Sequence, residues 1–329
     1  MKYTLNQLKT LNQDELLDYV STWQDFDSND ILAILSELEN MAPPIDFGAG
    51  ILDCCGTGGD KTNTFNISTT ASFIAVGAGI KICKNGGRST TSNTGSVDVL
   101  EALGLNLSAS LKLKQEGLEK FGLAFYSSTI SAELLAPVKQ ICKKHKITSF
   151  LSLVAPLANP VRLEGQVLGI GQTKWLTTLK EIQKSLIKSQ KRKSALLIHS
   201  CPESVQLDEL SSATKSKVIE VYEDQFKEFD FEPEYIGIKK SKLSDLLGGN
   251  DHKSNAQIIL ELLSGKADNA KIQTACLNSS ALIYLARQEK SQTQEDFYNK
   301  IKKYYDLSLE IVNSEKAKKL LENLIELYR

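Results

Sequence analysis

Only three histidines occur in the 329 residues, and the six cysteines, at 54, 55, 83, 142, 201 and 276, form no CxxC pair. That scarcity argues against a Cys/His zinc site. Adjacent Cys54 and Cys55 close an apolar run, where free cysteines act as small hydrophobes. Charge of one sign is also missing. The 39 Lys and Arg residues against 40 Asp and Glu leave a formal net charge of −1, so no overall field draws in nucleic acid or an anionic membrane. No apolar run is long enough to span a bilayer, and Met1-Lys2-Tyr3-Thr4 opens a polar, amphipathic segment rather than a signal peptide. The expectation is a cytoplasmic protein with neither nucleic acid nor membrane as partner.

The apolar 41% and charged 24% of the chain suit a globular protein with a substantial core. Residues 1–46 read as helices, with Ile31, Ile34, Leu35 and Leu38 at helical spacing after a cap at Ser28-Asn29. Pro43 and Pro44 end that region. Short apolar runs then alternate with helical stretches. Ile51–Cys55, Ile80–Cys83, Leu123–Tyr126, Val167–Gly171, Ala195–Ser200 and Val218–Val221 read as strands, with helices at 67–79, 97–103 and 131–145 between the first of them. This predicts an α/β fold: a small N-terminal helical domain, 1–46, joined by helices within about 131–162, and a larger α/β domain, 47–329, with a mostly parallel central sheet. The segment 229–237, with Pro233 inside it, reads as a connection, and 254–329 as helical.

Two strand-end loops carry the chemistry. In ILDCCGTGGDKTNTFNIST, Gly56, Gly58 and Gly59 let the backbone approach a ligand and turn N–H groups inward, and the helix starting at Asn66-Ile67-Ser68-Thr69 offers free N–H groups to phosphate. Asp60 before Lys61 breaks the Gly-Lys-[Ser/Thr] ending of a Walker loop, and Lys61 occupies the third glycine position of a dinucleotide fingerprint. The second loop, KNGGRSTTSNTGS, brackets two glycines with Lys84 and Arg88 and adds hydroxyls, as a polyphosphate requires. Adjacent Asp208 and Glu209 are also common at a helix start, but beside a polyphosphate they are natural Mg²⁺ ligands. His199, at a strand end, reads as structural.

GTGGD, TFNIST, KNGGR and GSVDVLEALG together resemble the anthranilate phosphoribosyltransferases and their relatives. LVAPLANP (153–160), QVLGIG (166–171), LDELS, LLGGNDHKSNAQIILELLSGK (246–266) and CLNSSALIYLA (276–286) follow in the family's order. The resemblance implies phosphoribosyl pyrophosphate (PRPP) as donor, an aromatic amine as acceptor, Mg²⁺ (two ions) and a homodimer. It places donor binding on Gly56, Thr57, Gly58, Gly59, Asp60, Thr64, Asn66, Ile67, Ser68, Thr69, the loop Lys84, Asn85, Gly86, Gly87, Arg88, Ser89, Thr90, Thr91, Ser92, and Ser96. Metal ligation falls on Ser68, Asp208 and Glu209, catalysis on Lys84 and Arg88, and acceptor binding on Gly56, Gly87 and Cys142. Where the family reads Lys-His-Gly-Asn-Arg, this chain has Lys84-Asn85-Gly86-Gly87-Arg88. Ser152 replaces a usual asparagine, and no arginine occurs from 89 to 161 to pair with an acceptor carboxylate. The departures gather on the acceptor side, so three alternatives stand beside the transferase of tryptophan biosynthesis. These are a paralogue using another aromatic amine, a nucleoside phosphorylase of similar architecture, and a non-catalytic relative binding PRPP or nucleic acid.

Overall fold

The computed structural model describes residues 3–60, 62–87, 95–126, 133–189, 191–200, 206–223 and 225–329, the side chains of Gln24 and Asp25 aside. Helices α1 (Leu5–Leu8), α2 (Gln13–Ser21) and α3 (Ser28–Met41) open the chain, each on a capping box led by Thr4, Asn12 or Asp27. The cap of α3 lies one residue before the expected Ser28. The Asp27 carboxylate accepts from Asn29 N at 2.7 Å and Asp30 N at 3.0 Å, relieving donors a helix leaves unpaired.

Seven described strands form one sheet: β1 (Ile51–Gly56), β2 (Lys81–Asn85), β3 (Leu123–Tyr126), β4 (Gly165–Gly169), β5 (Ser194–Ser200), β6 (Ser216–Tyr222) and β7 (Gln225–Phe231), in the order β3-β2-β1-β4-β5-β6-β7. The pairs from β3 through β5 are parallel, while β5–β6 and β6–β7 are antiparallel. All seven residues of β5 are buried, and the first four of β1, as expected of strands covered on both faces. The chain runs outward through β2 and β3, then returns to the far side of β1 as β4. That makes the β1/β4 boundary the switch point, where open α/β sheets leave a crevice at the strand ends.

Helices cover both faces. On one face Leu52, Val167, Leu196 and Ile198 share a core with α4 (Ile67–Val76), α10 (His252–Leu263), α11 (Asn269–Arg287), α12 (Gln294–Asn313) and α13 (Lys316–Leu327). α5 (Ser96–Ala102) and α6 (Leu111–Phe121) flank that layer. On the other face Leu168, Ile170, Ala195 and Leu197 pack with α1–α3, α7 (Ala136–His145), α8 (Leu151–Leu157) and α9 (Leu176–Lys188). The N-terminal helices therefore share one apolar cluster with 134–157 and with the sheet. Trp23 stacks on Trp175 with centroids 4.7 Å apart across this contact.

The chain differs from the sequence expectation at 229–237. Phe229–Phe231 lies in β7 and only Pro233–Ile236 turns, as a single 3₁₀ segment. Phe229 and Phe231 are buried and Phe229 stacks on Phe297 at 4.6 Å, so period-two burial holds an otherwise polar edge strand.

Candidate active site

At the switch point Gly56 pairs with Gly169, and beyond them the backbone turns through Gly58 (φ +65°) and Gly59 (φ +80°), a left-handed course natural to glycine. Thr57 fastens this turn: its N–H donates to Gly169 O and its hydroxyl accepts from Gly171 N, both at 2.9 Å. Asp208 closes against the same glycines. Its Oδ2 accepts from Gly58 N at 2.8 Å, a Cβ on Gly56 would stand 2.0 Å from that oxygen, and one on Gly169 would stand 1.6 Å from the Asp208 carbonyl. Gly171 is equally confined, with space for a Cβ only 2.4 Å from Gly58 O. Gly169 and Gly171 are site residues that the sequence reading missed. Their signal was the small-residue alternation in GIG at a strand end.

Asn66, Ile67, Ser68 and Thr69 begin α4 at the same edge. Asn66 makes no side-chain cap, and its Oδ1 is buried without a protein partner. The preceding Thr64 and Phe65 are held by the 246–248 segment: Thr64 bridges Leu247, Phe65 N donates to Leu246 O at 3.1 Å, and Gly248 N to Asn63 O at 2.9 Å. LLGGN thus positions TFNIST. Asp60 accepts from the Thr62 hydroxyl at 2.6 Å.

The acid pair is fixed from behind. Asn278 of α11 receives Leu210 N at 3.0 Å and donates to Leu210 O at 2.8 Å, and the Ser200 hydroxyl donates to Glu209 O at 2.5 Å. Burial, then the Asp60 charge, pushes Asp208 up to about 7. Burial and Asp208 together raise Glu209 well above the usual carboxylate range, opposed by the Lys84 charge and less by a hydrogen bond from Ser68. Ser68, Asp208 and Glu209 are thus brought together, with Asp60 within electrostatic reach. Among the described residues no three His, Cys, Asp or Glu side chains form a complete ion cage. Crowded carboxylates beside a hydroxyl nevertheless suit a hard cation that takes its other ligands from phosphate and water.

Lys84 lies beneath the pair, 3% exposed, its Nζ donating to Cys54 O at 2.6 Å. Burial opposes its charge, but Cys54 and Asp53 outweigh it and raise its pKa. Lys84 therefore acts on the acid pair as a buried charge held at β1. Asn85 gives its amide to Ala155 O at 3.1 Å, and Gly86 packs on Ser96, whose Oγ lies 2.6 Å from where a Cβ would be. Gly87 is open. Arg88, Ser89, Thr90, Thr91 and Ser92 lie outside the described residues, as does Cys201. Cys142 sits part-buried on α7 against the N-terminal cluster and Ser149, so these contacts do not join it to Gly56 and Gly87. His199 has both ring nitrogens engaged, with Ile170 O at 2.6 Å and the Thr173 hydroxyl at 3.0 Å.

A glycine turn, a helix start and an acid pair at the switch point of a sheet place the chain in a class of α/β proteins suited to a phosphate ligand with a cation, and the family described as glycosyl transferase family, a/b domain, matches residues 48–303. The chain belongs to that family, among the anthranilate phosphoribosyltransferases. It is 32% identical over 291 residues to the anthranilate phosphoribosyltransferase of Acetivibrio thermocellus, covering 88% of this chain and 78% of that one. It is 37% identical over 235 residues to that of Bacillus cereus, covering 71% of this chain and 66% of its relative's length. The structure of the Thermus thermophilus enzyme superposes with a TM-score of 0.83 at 25% identity, covering 99% of this chain and 93% of that one. The fold is shared as well with the Saccharomyces cerevisiae enzyme in complex with PRPP and Mg, with a TM-score of 0.79 at 24% identity over 96% of this chain and 85% of that chain.

Proposed function

We propose that the chain transfers the phosphoribosyl group of PRPP to anthranilate, releasing pyrophosphate, as the step in tryptophan biosynthesis that its family performs. The observation that carries the reading is the Gly58–Asp208 contact, which joins the glycine turn to the acid pair at the switch point. The turn through Gly58 and Gly59 gives the departing pyrophosphate close access to the backbone, with the Gly58 N–H held by Asp208, and the start of α4 offers the donors beside it. The Asn66 amide, without a protein partner at Oδ1, suits a ribose hydroxyl. Ser68, Asp208 and Glu209 would hold Mg²⁺, two ions with PRPP. Bound there, the metal neutralises charge building on the leaving group. The amine nitrogen bonds to C1 as the C1–O bond breaks, the electron pair leaves on pyrophosphate, and the amine proton passes to solvent. Catalysis is positioning and electrostatics, in keeping with a His199 already committed on both sides.

Arg88 and the buried charge of Lys84 support the same developing negative charge, and the acceptor sits toward Gly87. A second reading is another aromatic amine as acceptor. It is favoured by Asn85, engaged with Ala155, by the bare Gly87 and by the absence of arginine from 89 to 161. We infer a homodimer from the family resemblance. Among the described residues no helix is long and apolar enough to cross a membrane. Calorimetry tests the donor half: PRPP with Mg²⁺ binds the native chain, and Gly59→Val, which forces a branched residue to φ +80°, abolishes binding. Undiminished binding in Gly59→Val would refute the cradle.

A further inference from the structure

Helix α8 ends in three carbonyls that no later turn can satisfy, since Ala158 leaves the helix and Pro160 brings no N–H. Each is taken by a side chain from a different element. Asn85 Nδ2 donates to Ala155 O at 3.1 Å from β2. Gln166 Nε2 donates to Pro156 O at 2.7 Å from β4, with the Cys55 thiol on the same oxygen at 3.2 Å from β1. Arg192 Nη2, just ahead of β5, donates to Leu157 O at 3.1 Å. Its other arm, Nη1, reaches Gln166 Oε1 at 2.5 Å and Gln183 Oε1 at 2.8 Å, and Gln183 also donates to Gln166 at 3.0 Å.

Beneath them Asp53, fully buried, accepts from Asn85 N at 3.1 Å and from Gln166 at 3.3 Å. The LVAPLANP segment is therefore tied to β1, β2, β4 and the residue pair leading into β5 by one connected network. Among the described residues Arg192 alone donates to the helix end and to both glutamines, a reach that suits its planar fork. The guanidinium also places positive charge at a helix C-terminus, where the dipole favours it.

Resting on the transferase reading above, we propose that Arg192 is a positioning residue for the acceptor side of the site. It fixes α8 and the following Ala158-Asn159 against the strand ends, and Asn85 completes the clamp instead of contacting the acceptor. Arg192 touches neither substrate and acts through Leu157, Gln166 and Gln183.

Steady-state kinetics of the full chain, varying anthranilate and PRPP separately with Mg²⁺ present, test this. Arg192→Met is expected to raise KM for anthranilate about tenfold, the scale of losing a charge-assisted hydrogen bond, while KM for PRPP stays within about twofold. Gln183→Leu, which removes only the partner on α9, is expected to raise the anthranilate KM about threefold with PRPP unaffected. It decides the matter should Arg192→Met not fold. KM values that rise together for both substrates, or a fall in kcat with both unchanged, would reduce Arg192 to a residue that holds the fold and overturn the proposal. A native chain that consumes no anthranilate overturns the transferase reading itself and this inference with it, an outcome seen before any substitution is made.

Discussion

Asp208 occupies space that no side chain at Gly56 or Gly169 could share, and its carboxylate meets the Gly58 N–H at 2.8 Å. The glycines of ILDCCGTGG and of QVLGIG therefore serve different ends. Gly58 and Gly59 bend the backbone, whereas Gly169 leaves room for an acid from a distant loop. Gly169→Ala is expected to displace the Asp208 backbone and lower kcat/KM for PRPP by at least about 100-fold, the scale of losing a charge-stabilising group. Far-UV circular dichroism should stay native. Activity within a few-fold of the native chain would show that the acid pair does not need this fit. GTGGD was legible in the sequence because its chemistry is local. The meeting of residues 56, 169 and 208 was not, because strand order alone creates it.

At the scale of elements, β1 could be read from the short apolar run around Asp53 and α4 from the apolar residues that follow its hydroxyl-rich first turn, since both are largely buried. β7 could not. QFKEFDF carries four charged or amide side chains, and it becomes a strand through its pairing with β6 and the Phe229–Phe297 stack. The network beneath α8 was equally hidden, because Gln166, Gln183 and Arg192 come from separate parts of the chain. β6 also carries a buried acid linking it to α11. Glu220 is 1% exposed and accepts from the Tyr284 hydroxyl, which also meets Ser291 Oγ at 2.7 Å.

Burial pushes Glu220 up to about 7, against the Tyr284 hydrogen bond. A folded-state pKa above the unfolded value means that the native chain binds more protons between about 4.5 and about 7. Its contribution to stability is present below that window and is lost as pH rises through it. Urea unfolding should show the native chain weakening across this range, and Glu220→Gln, which stays neutral, weakening distinctly less. Parallel pH profiles would show that Glu220 is ionised without penalty in the fold.

For the whole molecule, the account joins one sheet, one switch point and two substrates. In the proposed reaction the donor half rests on the β1 and β4 ends and on the 206–210 loop, and the acceptor half on α8 and the strand-end network beneath it. Fluorescence of anthranilate, followed with the purified chain, PRPP and Mg²⁺, tests this most directly. The account predicts a loss of fluorescence that needs both PRPP and Mg²⁺, stops on chelation, and falls by at least about 100-fold in the double variant Asp208→Asn, Glu209→Gln. No loss with the native chain, or an undiminished loss in that variant, would contradict it.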